Sequence, residues 1–350
     1  MSPDAVMVSG VFFHCGRGAG RCYLKTNETH MDPIWKDYDV DLTAHLTDGA
    51  AVYEIRKGST VIYTGRAVAD PDGNAVVRIN GICADHLGHA LPAVDATALV
   101  PDTAGVATFT VYVGGVLVDT VTFWNDWSYD YHFDASAGGV TSDPVLPVID
   151  TRMPLLLSLV RAGVGIIPAP DFNSDFNSDF LIEQVQSLGP STYVVAAGTM
   201  VAGDSVTFGG MTWKVVGDCR RWALYYVNAY GGWDSLLLRE HETQTDAYDR
   251  KTIRRYYNND DRAARGTEDY HIDVTRRWTF RTDVLTDAQA ARMHHLIGTP
   301  LAYLYDLDNA DFIPVLVRDA ECVYKTFRNQ GARRVAYDIT LELAQDMTRR

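Results

Sequence analysis

From Trp222 to Leu238 the chain reads Trp-Ala-Leu-Tyr-Tyr-Val-Asn-Ala-Tyr-Gly-Gly-Trp-Asp-Ser-Leu-Leu-Leu. Two aromatic and aliphatic runs are hinged there on Gly231-Gly232, a pair able to take the positive φ of a tight strand turn. A second hairpin is written in strict alternation. Thr108-Phe-Thr-Val-Tyr-Val113 meets Gly114-Gly115 and continues as Val116 to Trp124. Phe109, Val111 and Val113 fall on one face and Thr108 and Thr110 on the other. Ala51 to Arg56 and Thr60 to Thr64 alternate on either side of Lys57-Gly58-Ser59, and Asp72-Gly73 turns the chain before Ala75 to Asn80. Asp204 to Phe208, Gly209-Gly210 and Met211 to Val216 predict a further hairpin.

These signals predict a mainly β protein: N-terminal β-sandwich modules, then an antiparallel sheet or barrel module with one flanking helix. Residues 1–35 read as an N-terminal arm and 36–134 as a β-sandwich. Residues 135–150, rich in Ala, Ser, Gly and Pro, read as a linker. A second β-rich module covers 151–238, where Leu155 to Val160 is either a helix or a buried strand. The last module, 239–350, carries a helix predicted over 286–297. Thr286 caps it, Gln289 completes a capping box, Ala290, Met293 and Ile297 share a face, and Gly298 and Pro300 end it. Strands are expected over His271 to Arg281, Leu301 to Leu307, Phe312 to Tyr324 and Arg334 to Leu343.

Charge divides the 350-residue chain unevenly. Residues 1–238 hold 13 basic and 26 acidic side chains, a balance of −13, and residues 239–350 hold 18 and 19, a balance of −1. The first two-thirds repel a phosphate backbone, which suits a surface past which DNA slides without specific binding. No apolar run reaches the roughly 20 residues of a membrane span, and the first residues lack a secretory leader pattern, so folding in the cytoplasm is expected. The five cysteines are widely spaced apart from Cys15 and Cys22, which favours free thiols over a disulfide scaffold.

Candidate chemistry is thin. Gly16-Arg-Gly-Ala-Gly20 lacks the following helix N-terminus and the Gly-Lys-Ser/Thr of a phosphate loop. His14, Cys15, Cys22 and His30 have zinc-ligand types without paired spacing. In the tandem repeat Asp171-Phe-Asn-Ser-Asp-Phe-Asn-Ser-Asp179, Phe176 stands where a calcium loop needs Gly and Ile182 where it needs Glu. No cofactor or metal is therefore expected. The histidines show no nucleophile elbow or His-Glu-x-x-His spacing, which argues against an enzyme. Trp124, Trp127, Tyr129 and Tyr131 could stack on sugar, but core or interface packing is the commoner use of such residues.

Four segments carry a family resemblance. They are Ile62-Tyr-Thr-Gly-Arg-Ala67 with Ile79-Asn-Gly-Ile-Cys-Ala-Asp85, Asn125-Asp-Trp-Ser-Tyr129, Asn228-Ala-Tyr-Gly-Gly-Trp-Asp234, and the C-terminal unit ending Tyr337-Asp-Ile-Thr-Leu-Glu-Leu-Ala-Gln345. Together they resemble tail and baseplate proteins of tailed bacteriophages, especially the distal-tail type. That resemblance implies a virion tail protein, assembled in the host cytoplasm into a homo-oligomeric ring, expected to be a hexamer. The implied neighbours are tube and tip or hub proteins. The order here departs from the usual one, since the helix-bearing β unit comes last, so adaptor, tube terminator and baseplate positions stay open. A carbohydrate-binding, adhesin-like surface protein is the alternative, with glycan as partner, and a polysaccharide-degrading enzyme is third.

The Arg-rich stretch from Arg239 to Arg281 is expected at subunit contacts, with Arg254, Arg255, Tyr256, Tyr257, Arg276 and Arg277 as candidate interface residues. Its arginines are interleaved with Asp246, Asp249, Asp269 and Asp273, so the charge cancels locally and makes a poor phosphate track. Between copies, such a pattern can form bidentate Arg–carboxylate pairs that set register.

Overall fold

A computed structural model describes residues 12–14, 23–25, 31–34, 37–95, 97–126, 139–161, 171–172, 189–208, 211–217, 220–238, 240–254, 266–319, 336–345 and 347–349. The fold is mainly β, with several antiparallel sheets and few helices. One compact unit gathers Val40–Val77 and Thr108–Phe123 with the described residues up to Asp32. The other gathers Pro33–Asp39, Arg78–Ala107 and the described residues from Trp124 onward.

The first unit is built on a sheet whose order runs Met31–Pro33, Val116–Trp124, Val106–Val113, Ala50–Lys57 and Thr60–Val68. Its hairpins are the ones the alternation predicts. Gly114 and Gly115 take φ of 56° and 82°, left-handed values that a Cβ would strain. Tyr53, Ile55, Phe109, Val111, Val121 and Phe123 are buried while Val52 is 59% exposed, so one face of the sheet forms the core and the other meets water. Phe109 and Phe123 pack with ring centroids 6.0 Å apart.

The second unit is organised by an eight-stranded sheet. Its order is Trp233–Leu238, Trp222–Val227, Ala302–Asp306, Asp311–Val317, Asp338–Leu343, Thr267–Arg281 and Glu240–Arg254, with Met347–Arg349 also paired to Thr267–Arg281. Every residue of Trp222–Val227 and Trp233–Leu238 is buried, because both faces of this hairpin are covered. On one face Ala223, Tyr225, Val227, Trp233 and Leu237 join a core with Leu155, Leu157, Tyr193, Phe208 and Trp213. These last residues come from two smaller four-stranded sheets. On the other face Trp222, Leu224, Tyr226 and Leu236 pack with Trp278, Phe280, Met293, Leu296 and Leu341. Each large apolar side chain so buried contributes about 1.5–3 kcal/mol.

Several expectations change. The hairpin that ended the 151–238 module pairs through Trp222–Val227 with Ala302–Asp306, so it belongs to the C-terminal sheet. Part of the supposed linker is ordered sheet. Val148–Asp150 runs parallel to Met211–Val216, and Gly139–Val140 pairs with Leu159 and Val160. Val145 and Ile149 are fully buried, and their apolar side chains outweigh the surrounding turn residues. Leu155–Arg161 is a strand, resolving the helix-or-strand ambiguity.

The predicted helix forms with its capping box intact, but as two short segments, Asp287–Ala291 and Met293–Ile297, meeting at Arg292. It is also accompanied by a second helix, Asn80–Ala84, at the end of the expected Ala75 to Asn80 run, where only one helix was expected in the chain. Ile79 and Cys83, both fully buried, provide the four-residue spacing that the β-propensity of Ala75 to Ile79 concealed.

Candidate assembly surface

The feature that distinguishes this fold is a two-stranded ribbon, Glu240–Arg254 against Thr267–Arg281, each strand 15 residues long. Its base is anchored. Arg277 to Arg281 pair with Asp338 to Glu342, Trp278 and Phe280 are buried, and Trp278 Nε1 donates to Gln244 Oε1 at 3.2 Å. Met347–Arg349 supports Ile272 to Val274. Farther along, the strands have only each other among the described residues. Most of Glu242 to Arg254 is exposed, including Tyr248 at 54%, Ile253 at 44% and, on the return strand, Tyr270 at 59%.

Charges on the ribbon are matched across its two strands. Arg276 grips Asp246 in a fork, Nε to Oδ1 at 2.8 Å and Nη2 to Oδ2 at 2.9 Å. That hydrogen bonding holds the Asp246 carboxyl below the usual carboxylate range and raises Arg276. Across the strands Arg250 Nη1 lies 2.9 Å from Asp269 and Lys251 Nζ 3.5 Å from Asp273, while within the return strand His271 Nε2 lies 2.7 Å from Asp273. At the base, Arg277 Nε donates to Glu342 at 2.8 Å, and Arg318 takes the other carboxylate oxygen. The hydrogen bond from Arg318, then that from Arg277, lowers the Glu342 carboxyl.

The candidate interface residues separate into three groups. Arg254 ends the first strand and is exposed. Arg276 and Arg277 are engaged within the chain by Asp246 and Glu342. Arg255, Tyr256 and Tyr257 lie outside the described residues. Sequence reasoning overlooked that 240–254 is itself a strand, and with it Glu242, Tyr248 and Arg250 as outward-facing positions. The readable signal was the β-favouring set Thr243, Thr245, Tyr248, Thr252 and Ile253, masked by the density of charge.

Behind this sheet the Asn228–Asp234 segment closes into a buried polar bracket. Asn228 Oδ1 accepts from the N–H of Tyr230 and of Gly232, both at 3.0 Å, while Nδ2 donates to Thr141 O at 2.6 Å and Asp234 Oδ2 at 2.8 Å. The Asp143 N–H also reaches both Asp234 oxygens, at 3.2 and 3.1 Å. Asp143 itself pairs with Arg292 Nε at 2.7 Å and lies 3.3 Å from His295 Nε2. His295 Nδ1 accepts from Ala229 N at 3.1 Å, which places the ring proton of the neutral imidazole on Nε2. Burial pushes the Asp234 carboxyl up to about 8. Gly231, at φ 82°, and Gly232 let this turn close, since a Cβ on Gly231 would stand 2.2 Å from Asn125 O and one on Gly232 2.6 Å from Thr141 Oγ1. The bracket ties the hairpin turn to 141–143 and to the helical segments; its groups are consumed in holding structure.

The remaining motifs place as follows. Trp124 is 1% exposed and packs in the core, which removes it from a sugar platform; Trp127, Tyr129 and Tyr131 lie outside the described residues. So do Gly16 to Gly20, Cys15, Cys22, His30 and most of the tandem repeat, of which Asp171–Phe172 forms a short strand. Among the described residues no group of three or more His, Cys, Asp or Glu is placed to hold a metal ion. No described helix is long and apolar enough to cross a membrane. No protein-family model, curated protein or solved structure matches the chain.

Proposed function

We propose that this chain is a structural component of a bacteriophage tail, of the distal-tail or adaptor type at the tip or baseplate. In this reading it assembles into a ring, expected to hold six copies, that connects the tail tube to neighbouring tail proteins. The observation that carries the reading is the ribbon. An arm of paired strands that leaves its supporting sheet, exposes Tyr248, Ile253 and Tyr270, and cancels its own charges is built for protein rather than for phosphate. The balance of −13 over residues 1–238 lets DNA pass without adhering. No catalytic role is assigned, because the most perturbed carboxyl, Asp234, is buried among its own structural partners.

The test is the mass and symmetry of the purified full chain, by analytical ultracentrifugation and negative-stain imaging. Closed rings of one size support the reading, and a monomer at all concentrations, alone and with tail-tube protein, overturns it. A glycan array separates the sugar-binding alternative, which requires saturable binding by the same sample.

A further inference from the structure

Glu240–Arg254 is the last strand of the eight-stranded sheet, and among the described residues nothing pairs with its outer edge. Such an edge presents a row of free N–H and C=O groups to any strand that can match it. Its usable length is bounded. A register shift between Glu240 and Thr243 puts Glu242 at the disturbed end, and Arg254 is the last residue of the strand at the other. A second shift, between Lys251 and Thr252, places its extra residue, Tyr270, on the return strand and leaves Thr243 to Arg254 unbroken. The span from Glu242 to Arg254 is exposed at nearly every position and has Tyr248 at its midpoint.

The charge order on this edge is self-complementary when reversed. Acidic Glu242 and Asp246 occupy the first half, and basic Arg250 and Arg254 the second. We propose that the edge docks antiparallel onto the same edge of a second copy, about a twofold axis through Tyr248, making one continuous sheet across two chains.

A twofold relating two antiparallel edge strands stands perpendicular to the sheet, so only residues of the same face meet. Centred on Tyr248, Asp246 faces Arg250 of the copy and Glu242 faces Arg254, each pair made twice. Tyr248 meets itself, and Gln244 meets Thr252. The neighbouring registers fare worse. Centring on Asp246 or Asp249 sets two carboxylates on the axis, and centring on Arg250 sets two guanidiniums there. Centring on Ala247 opposes Glu242 to Thr252 and Gln244 to Arg250, and leaves Arg254 only Glu240, beyond the register shift, with no ion pair inside 242–254. Main-chain hydrogen bonds supply the affinity of such an addition and the charged pairs its register. Asp246 and Arg250 keep their partners Arg276 and Asp269 within the chain, since a carboxylate has acceptor sites for both and a guanidinium has five donors.

A twofold contact cannot close a ring by itself, so this edge joins copies in pairs and, in a ring, would join two rings back to back. The inference needs only a second copy, not the tail reading. It is tested on the full chain with Tyr248→Cys, whose thiols would face each other across the axis within reach of a short bis-thiol cross-linker or a mild oxidant. The expected result is a covalent dimer with a 248–248 peptide link, abolished by prior dilution to the monomer.

A charge swap provides the second arm. Arg254→Glu should weaken pairing about tenfold, because Glu242 then faces another carboxylate across the contact. The double variant, Glu242→Arg with Arg254→Glu, should restore it. Both positions are exposed, so the variants keep the parent's melting temperature. A chain that forms rings but gives no 248–248 link, with no rescue by the double variant, overturns the edge contact and leaves the ring reading standing. A strict monomer overturns both.

Discussion

Asp234 carries the largest electrostatic consequence of any single residue. Its carboxyl is buried against the Asn228 amide and the Asp143 N–H, and the Arg292 guanidinium is engaged by Asp143. With burial raising it to about 8, the folded state holds a proton that the unfolded chain releases near pH 4. The stability this proton adds is full below pH 4 and is lost as pH rises through about 8, a change on the order of 5 kcal/mol. Urea unfolding of the parent and of Asp234→Asn across pH 5–9 should therefore show a downward slope with pH in the parent that the amide variant lacks. At the adjoining turn, Gly231→Ala combines a left-handed φ with a carbonyl 2.2 Å from the new methyl. We expect a loss of about 2–4 kcal/mol by denaturant titration.

Among the elements, the helical segments and the ribbon respond differently to change. Thr286 accepts from the Gln289 N–H at 3.4 Å while Gln289 Oε1 accepts from the Thr286 N–H at 2.9 Å. Thr286→Ala leaves the Gln289 N–H without its side-chain acceptor, while the residue 286 N–H keeps Gln289 Oε1, and should cost about 1 kcal/mol, read as a lowered melting temperature with no change in strand content. Charge pairs on the ribbon carry less. Arg276→Ala removes the fork to Asp246, a half-buried pair on the ribbon, so its stability cost should stay at or below about 1 kcal/mol in the same assay. A small cost there combined with altered self-association would separate the ribbon's assembly role from folding.

For the whole molecule, the net charge of −14 acts over distances that no single pair reaches. Double-stranded DNA should show no saturable binding in fluorescence anisotropy at about 0.15 M salt, and the matched charges of the ribbon should not change that. Binding whose affinity fell steeply with salt would reveal an unopposed basic track.

Local pattern alone determined the hairpins at Gly114-Gly115 and Gly231-Gly232, the Thr286 capping box and the mainly β character. Each of these is written in residues within a few positions of one another. Alternation also told which side of Val106–Val113 would be buried. The tertiary structure decided what lies between distant segments. Trp222–Val227 reads as continuous apolar sequence because cores cover both its faces, and those cores draw on Leu155, Trp213, Trp278 and Leu341. The strand Glu240–Arg254 looks too charged to be one until Thr267–Arg281 is laid beside it and pairs its charges. Asp234 is an ordinary acid in the sequence, and only the approach of 141–143 and Arg292 buries it. Pairing over long sequence separation leaves no local periodicity, so register, burial on the second face and the free sheet edge emerge only when the chain is folded.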